Sequence, residues 1–316
     1  MGADRGPSEM LAGAADARRE LGVEVLLAGS PEALRDADPA SVIACTEVIG
    51  MDEDPVQAVR RKKDSSLVRA VEAVRDGRAC AVVSAGSTGA ALAAATLRLG
   101  RIPGVSRPAI VVPVPVPGRP PHVLVDAGAN VEVPAALLVQ FARMGSVLAA
   151  ARYGIASPKV ALLSNGEEPS KGTPQVREAH GMLLGAEGID FIGNIEGRDI
   201  LDGAYDVVVT DGFTGNVVLK LLEGTLRFFM RSVLDAFGSS PEAEEASKVL
   251  LPALAPLASE MDPELTGGAV LLGVDGVCVI SHGSSTRKAI SNAIRVALEM
   301  AGSDLVGRVK AALGNS

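Results

Sequence analysis

The sequence predicts an α/β protein built on a large, mostly parallel sheet. A short apolar run, a Gly-rich polar loop and a helical pattern recur in that order along the chain. Such alternation is the signature of βα units, and βα units make parallel strands. Composition agrees: 47% of the residues are hydrophobic, aromatics make up 3% and Trp is absent, so Ala, Val, Leu and Gly must build a tightly packed helix-on-sheet core. At 316 residues the chain suits one large domain or two lobes sharing a sheet, and its apolar content excludes a disordered chain.

Charge and cysteines narrow the partners. The formal net charge of −8 excludes a general affinity for nucleic acid, so a basic partner-binding surface has to be local. Cys45, Cys80 and Cys278 are scattered and odd in number, and they read as buried thiols in a reducing compartment. No uninterrupted apolar run approaches the roughly 20 residues of a bilayer span, and no signal-peptide pattern opens the chain. A cytoplasmic protein is the expectation.

The elements follow in order. Met1-Gly2-Ala3-Asp4-Arg5-Gly6-Pro7 is a Gly-rich loop ahead of a helical pattern over residues 8–21. Other such loops here follow a strand, so a first strand is expected either before Met1 or as a loss from this copy. Residues 54–75 read as one long helix with Arg60, Arg61, Lys62 and Lys63 at its middle. Such a run is commonly a solvated face, yet in an acidic chain it also suits an acidic partner. Residues 80–83 then run into SAGSTGA. Pro113, Pro115, Pro117, Pro120 and Pro121 argue against a central strand after Ile110 and for an edge strand or a lobe crossing.

Further along, residues 122–125 lead into DAGANV and Lys159–Leu163 into SNGEEPSKG. Val207–Val209 leads into TDGFTGN, the sharpest of these changes, where a strand delivers the chain to a helix start fit to seat an anion. Residues 242–261 are helical in pattern, but Pro252 and Pro256 should kink or break them. Their apolar side chains, among them Val249, Leu250, Leu251, Leu254, Leu257 and Met261, suit a dimer contact first and a membrane surface second. Val277–Ile280 leads into SHGSSTRKA. Right-handed crossovers place loops that follow parallel strands at one sheet edge, so these loops are expected to converge on a shared ligand cleft.

The motifs RRKKDSS, SAGSTGA, DAGANV, MGSV, GEEPSKG, IGNIEGRD, TDGFTGNVVLKLLEG and SHGSS, in this order, resemble the PlsX family of phosphate acyltransferases. The resemblance runs from residue 1 to about residue 300. Family members open with an apolar strand and a D-A-M-G-G-D-like loop, of which Met1-Gly2-Ala3-Asp4 matches only the end. The resemblance implies transfer of a long-chain acyl group from acyl carrier protein to inorganic phosphate, giving acyl phosphate for phospholipid synthesis, without nucleotide, metal or other cofactor. It implies a fold similar to the isocitrate and isopropylmalate dehydrogenases, with one lobe over about residues 1–105 plus 265–316 and the other over about 106–264. It further implies a homodimer, peripheral membrane contact and a membrane acyltransferase that consumes the product.

Phosphate dianion can attack a thioester itself, so no protein nucleophile is required. An anion cradle, donors for the developing oxyanion and alignment are required instead. Ser84, Gly86, Ser87 and Thr88 are the candidate cradle, with Thr214, Gly215 and Asn216 facing them. Lys171 is placed to balance phosphate or oxyanion charge, or else is a solvated loop lysine. His282, followed by Ser284 and Ser285, is placed to position phosphate, or else is a satisfied core histidine. Asp126, Asn130 and Asp211 are expected to orient loops, because carboxylates beside phosphate would repel it. The run from Arg60 to Lys63 would meet the acidic face of acyl carrier protein. A decarboxylating dehydrogenase would want helical aspartates, whereas Asp202 and Asp206 lie just before a strand. A short-chain phosphate acetyltransferase and a non-catalytic ligand-binding remnant stay open.

Overall fold

The computed structural model describes residues 6–314, so the expectations placed on residues 1–5 lie outside the described residues. Helix α1 (Pro7–Leu21) precedes a small parallel pair, β1 (Leu27–Gly29) and β2 (Val42–Ala44). Helices α2 (Pro55–Arg61) and α3 (Ser66–Arg75) follow, then strand β3 (Ala81–Ser84) and helix α4 (Thr88–Arg98). Strands β4 (Ala109–Val116) and β5 (Arg119–Val125) form a hairpin that feeds α5 (Ala135–Tyr153). Next come β6 (Lys159–Leu163), α6 (Pro174–Leu184), β7 (Asp190–Ile195) and β8 (Val207–Val209). The long α7 (Gly212–Phe237) and α8 (Pro241–Glu260) lead through short α9 (Pro263–Thr266) to β9 (Ala269–Leu272) and β10 (Val277–Ile280). Helices α10 (Arg287–Gly302) and α11 (Leu305–Gly314) follow.

Eight strands form one sheet in the order β3-β10-β9-β4-β5-β8-β6-β7. Strands alternate their side chains between two cores: Val123 and Val125 pack with α5, α6, α10 and α11, while Leu124 packs with α2, α3 and α4. Burial on both faces is why these strands read as continuous apolar runs. The α/β class and the large, mostly parallel sheet are as the sequence predicts.

Strand direction is where the structure departs from the sequence reading. β3 and β10 are parallel, and so are β5, β8, β6 and β7 among themselves. Between the two groups, β10–β9, β9–β4 and β4–β5 are all antiparallel. An odd number of reversals leaves β3 and β10 pointing opposite to β5, β8 and β6. The Gly-rich loops therefore leave opposite ends of the sheet.

Other readings also change. Residues 54–75 are two helices, not one, because Ser65 caps a new start by accepting from Val68 N at 3.4 Å. Strand β4 lies inside the sheet and Pro117 lies in the turn after it, but Pro113 and Pro115 stand where one side of β4 is left unpaired, a local edge within the sheet. Ile110 N–H donates to Asp126 on the β5 side, so the nitrogens of Pro113 and Pro115 face the other way. On that side β9 pairs only as far as Val111, so no ladder bond is lost. Helix α8 runs through Pro252 and Pro256 as one element. Of the cysteines, Cys45 and Cys278 are buried, with burial pushing Cys278 up to about 12, but Cys80 is exposed. Among the described residues α5 alone is long and apolar enough to cross a membrane, and 50% of that stretch is buried inside the protein.

Candidate active site

At the β3–β10 end two loops are laced together, since Ser84 carbonyl accepts Ser281 N–H at 2.7 Å. In SAGSTGA, Gly86 N–H reaches Ser84 Oγ at 3.4 Å, and Ser87 caps α4 by accepting from Ala90 N–H at 3.3 Å. The cap is a neutral hydroxyl, so the positive end of α4 meets no side-chain carboxylate in its own first turn. Thr88 is exposed beside it. Gly89 lets α2 approach, because a Cβ there would stand 2.9 Å from Pro55 Cγ.

The SHGSS loop runs alongside. His282 is exposed rather than a satisfied core histidine; its Nδ1 lies 2.7 Å from Ser284 Oγ and accepts Ser284 N–H at 3.3 Å. An accepting Nδ1 puts the proton of the neutral ring on Nε2, which becomes a donor for an incoming anion. Below it, the buried hydroxyls of Ser281 and Ser285 share a hydrogen bond of 2.7 Å. Thr286 caps α10, and its own hydroxyl donates to Glu264 Oε2 at 2.8 Å. Glu264 stands on α9, far upstream, and no local pattern announces that contact.

The opposite end is organised by Asp126, which is fully buried. Its Oδ1 accepts from Ile110, Gly128 and Ala129 N–H at 3.0, 3.1 and 3.0 Å, and its Oδ2 from Asn130 N and Nδ2 at 2.8 Å each. Burial pushes this carboxyl above its ordinary range, and the hydrogen bonds from Ala129, Asn130 and Ile110 pull against that shift. Helix α7 docks directly on this loop. A Cβ at Gly215 would lie 1.9 Å from Asp126 carbonyl oxygen, and one at Gly212 would lie 2.7 Å from Asn130 N and O. Asn216 is exposed beside Gly128.

The anion seat expected at the start of α7 is already filled. Asp211 accepts Thr214 N–H and Thr214 Oγ–H, both at 2.8 Å, while Gly212 N–H goes to Asn130 carbonyl at 2.7 Å. A carboxylate at a helix start takes the place an anionic ligand would want. Lys171, in the loop after β6 at this same end, is exposed. Gly172 N–H holds that loop through Asn165 Oδ1 at 2.8 Å.

Convergence of all these loops is thus corrected. Ser84, Gly86, Ser87, Thr88, His282, Ser284 and Ser285 come together at one end of the sheet. Asp126, Asn130, Asp211, Thr214, Gly215 and Asn216 come together at the other, with Lys171 following the neighbouring strand. Thr214, Gly215 and Asn216 do not face the Ser84–Thr88 loop across a shared edge. The basic run also divides: Arg60, Arg61 and Lys63 are exposed, but Lys62 Nζ bonds Glu53 Oε1 at 2.6 Å and Val48 carbonyl at 2.7 Å.

Comparison with known proteins decides the chemistry class. Residues 1–308 match the family profile described as "Fatty acid synthesis protein". A phosphate acyltransferase of Heliobacterium modesticaldum is 47% identical over 308 residues, covering 94% of this chain and 91% of that one. Another, of Nostoc punctiforme, is 44% identical over 319 residues, covering 98% and 94%. The chain belongs to the PlsX family of phosphate acyltransferases. As a PlsX protein it is an acyltransferase that uses phosphate. Among solved structures, a phosphotransacetylase from Streptococcus pyogenes is similar with a TM-score of 0.61 at 19% identity, over 94% of this chain and 91% of that one. A branched-chain phosphotransacylase from Enterococcus faecalis V583 gives 0.60 at 16% identity, over 95% and 96%. At such identities the likeness establishes the fold of this PlsX chain and nothing more.

Proposed function

We propose that the protein transfers a long-chain fatty acyl group from the thioester of acyl carrier protein to inorganic phosphate. A phosphate oxygen attacks the thioester carbonyl, the C–O bond forms, the C–S bond breaks, and the carrier leaves as thiolate to be protonated by water. The products are acyl phosphate and free carrier thiol. No other reactant enters this balance.

The observation that carries the placement of phosphate is the contrast between two helix starts. Helix α4 is capped by the neutral Ser87, whereas α7 is capped by the carboxylate of Asp211. Phosphate is therefore assigned to Ser84, Gly86, Ser87 and Thr88, with Ser284, Ser285 and the Nε2–H donor of His282 opposite. His282 positions phosphate and donates to the oxyanion. Asp126, Asn130, Asp211, Thr214 and Gly215 brace the other end, and Lys171 and Asn216, at that same end, take no part in holding phosphate. The lobes would be residues 1–105 with 265–316 and residues 106–264.

Arg60, Arg61 and Lys63 supply an exposed cationic face for the acidic carrier protein. The α7–α8 pair supports a homodimer contact, with a peripheral membrane role in the cytoplasm second. In α7 only Gly212 and Gly215 are buried, and Leu221, Phe228, Phe229 and Val249 are all more than half exposed across the pair. The direct test incubates the protein with palmitoyl-acyl carrier protein and phosphate and traps the product with hydroxylamine. Hydroxamate is the expected result, and its absence from folded protein would sink the proposal.

A further inference from the structure

A cavity of about 470 Å³ opens between the β4–β5 hairpin, the end of α5 and the end of α8. Pro113, Pro115 and Pro121 form its strand wall, Tyr153, Pro256 and Leu265 add apolar surface, and Arg152, Ser259 and Glu260 bring polar groups to the lining. This wall is poor in donors for a structural reason. The nitrogens at 113 and 115 point to the side that β9 leaves uncovered after Val111, and proline at both positions removes the N–H groups that stretch would otherwise expose. The volume falls in the range of about 300–1,000 Å³ typical of small-molecule pockets. Six of the nine lining residues are proline, tyrosine or leucine, so the greater part of the surface asks for an apolar occupant, beside the charged Arg152 and Glu260.

The cavity is also a neighbour of the SHGSS loop. Strand β4 runs in the same direction as β10 with only β9 between them, two spacings of about 4.8 Å. The cavity-lining half of β4 is its later half, so it lies toward the sheet end from which SHGSS leaves. Helix α9 joins the two places. Its Glu264 accepts the Thr286 hydroxyl at 2.8 Å and, through its carbonyl, Asn292 Nδ2 at 3.0 Å, while the next residue, Leu265, lines the cavity.

We infer that this cavity takes the alkyl chain of the acyl donor, leaving the thioester carbonyl on the side of His282 and Ser87. The inference rests on the reading that a long-chain acyl group is transferred to phosphate. It makes chain length a property of the space between β4, α5, α8 and α9, separate from the phosphate loops.

The test titrates cis-parinaric acid, a fluorescent fatty acid, into the wild-type protein and into Ser259→Trp and Leu265→Trp. Each variant places an indole in the cavity from a side chain that is exposed in the wild type, and thermal melts check that the fold is kept. Saturable binding to wild type should weaken at least about ten-fold in both variants. In turnover, kcat/KM for a palmitoyl thioester should fall at least about ten-fold while that for a butyryl thioester stays within about two-fold. Absence of saturable binding to wild type, or unchanged binding in both variants, overturns the inference. If wild type makes no acyl phosphate from any thioester, the proposed function falls, and the parinarate titration still decides the cavity.

Discussion

The Asp211 carboxylate grips Thr214 twice, through the backbone N–H and the side-chain hydroxyl, at 2.8 Å each. A negative charge thus sits at the start of α7 in a position that the pattern strand, turn, helix reserves equally for a substrate anion. At α4 the same pattern ends in a serine cap, and the charge is absent. Two loops that look alike in sequence differ in the one property that decides where a dianion can rest.

Asp211→Ala should therefore cost stability rather than phosphate binding. Loss of a helix cap typically costs about 1 kcal/mol, so urea denaturation should show a fall of that size. The KM for phosphate should stay within about two-fold of wild type. A large rise in that KM with unchanged stability would move phosphate to α7.

Removal of the His282 donor is expected to act on catalysis. His282→Ala should lower kcat/KM by about 10²-fold, the usual size for one lost oxyanion donor. His282→Gln keeps an N–H donor on a side chain of similar reach and should recover part of the loss. A glutamine variant no better than alanine, with the fold intact by circular dichroism, would reduce the ring to a packing role.

The basic run separates into two predictions. Arg61→Glu with Lys63→Glu should raise the KM for acyl carrier protein at least about ten-fold at low salt, and the difference should shrink as salt screens the contact. The KM for phosphate should not follow. Lys62→Glu should instead lower stability, because it places two carboxylates together where Lys62 now bonds Glu53 at 2.6 Å. Equal carrier-protein effects from Lys62 and Arg61 would show that the ion pair opens on docking.

Much of this was legible along the chain because it is local. Lys159–Leu163, Val207–Val209 and Val277–Ile280 are strands at the bounds their short apolar runs suggest. The sheet's reversal of direction was not, since it depends on β9 pairing between β10 and β4, partners far apart in sequence. One clue was present in the Pro117-Gly118 turn, where Gly118 takes a φ of 70° and folds β4 back on β5. The proline density around it pointed to an edge and masked the hairpin. Lys62 was invisible for a similar reason, because its neighbours in sequence are solvated cations and only the fold brings Glu53 to it.

Gly215→Ala should test how tightly α7 is seated on the Asp126 loop. The added Cβ would fall 1.9 Å from Asp126 carbonyl oxygen, a backbone atom that cannot swing away. Overpacking of this kind costs about 1–3 kcal/mol. A thermal melt close to that of wild type would mean that α7 slides on the loop without penalty.

The last prediction concerns pH and the joint that holds α1 to α10. Asp16 Oδ2 and Oδ1 accept Arg287 Nε and a terminal nitrogen at 2.7 and 2.6 Å, and Arg19 adds a bond at 2.7 Å. The Arg287 guanidinium, with Arg19 second among the cations, lowers the Asp16 carboxyl from an ordinary 3.8 to about 2. A depressed carboxyl stabilises the fold in its ionised form, so this contribution is complete above pH 3.8 and is lost as the pH falls through about 2. Asp16→Asn should thus be less stable than wild type at neutral pH, and denaturant titrations at stepwise lower pH should show the two converging across that window. A gap that stays constant with pH would assign the loss to packing in the α1–α10 seam. Because Arg287 begins α10 directly after Thr286, the same substitution should loosen the SHGSS loop. A rise in the KM for phosphate at neutral pH, larger than any change in the KM for the acyl donor, would report it.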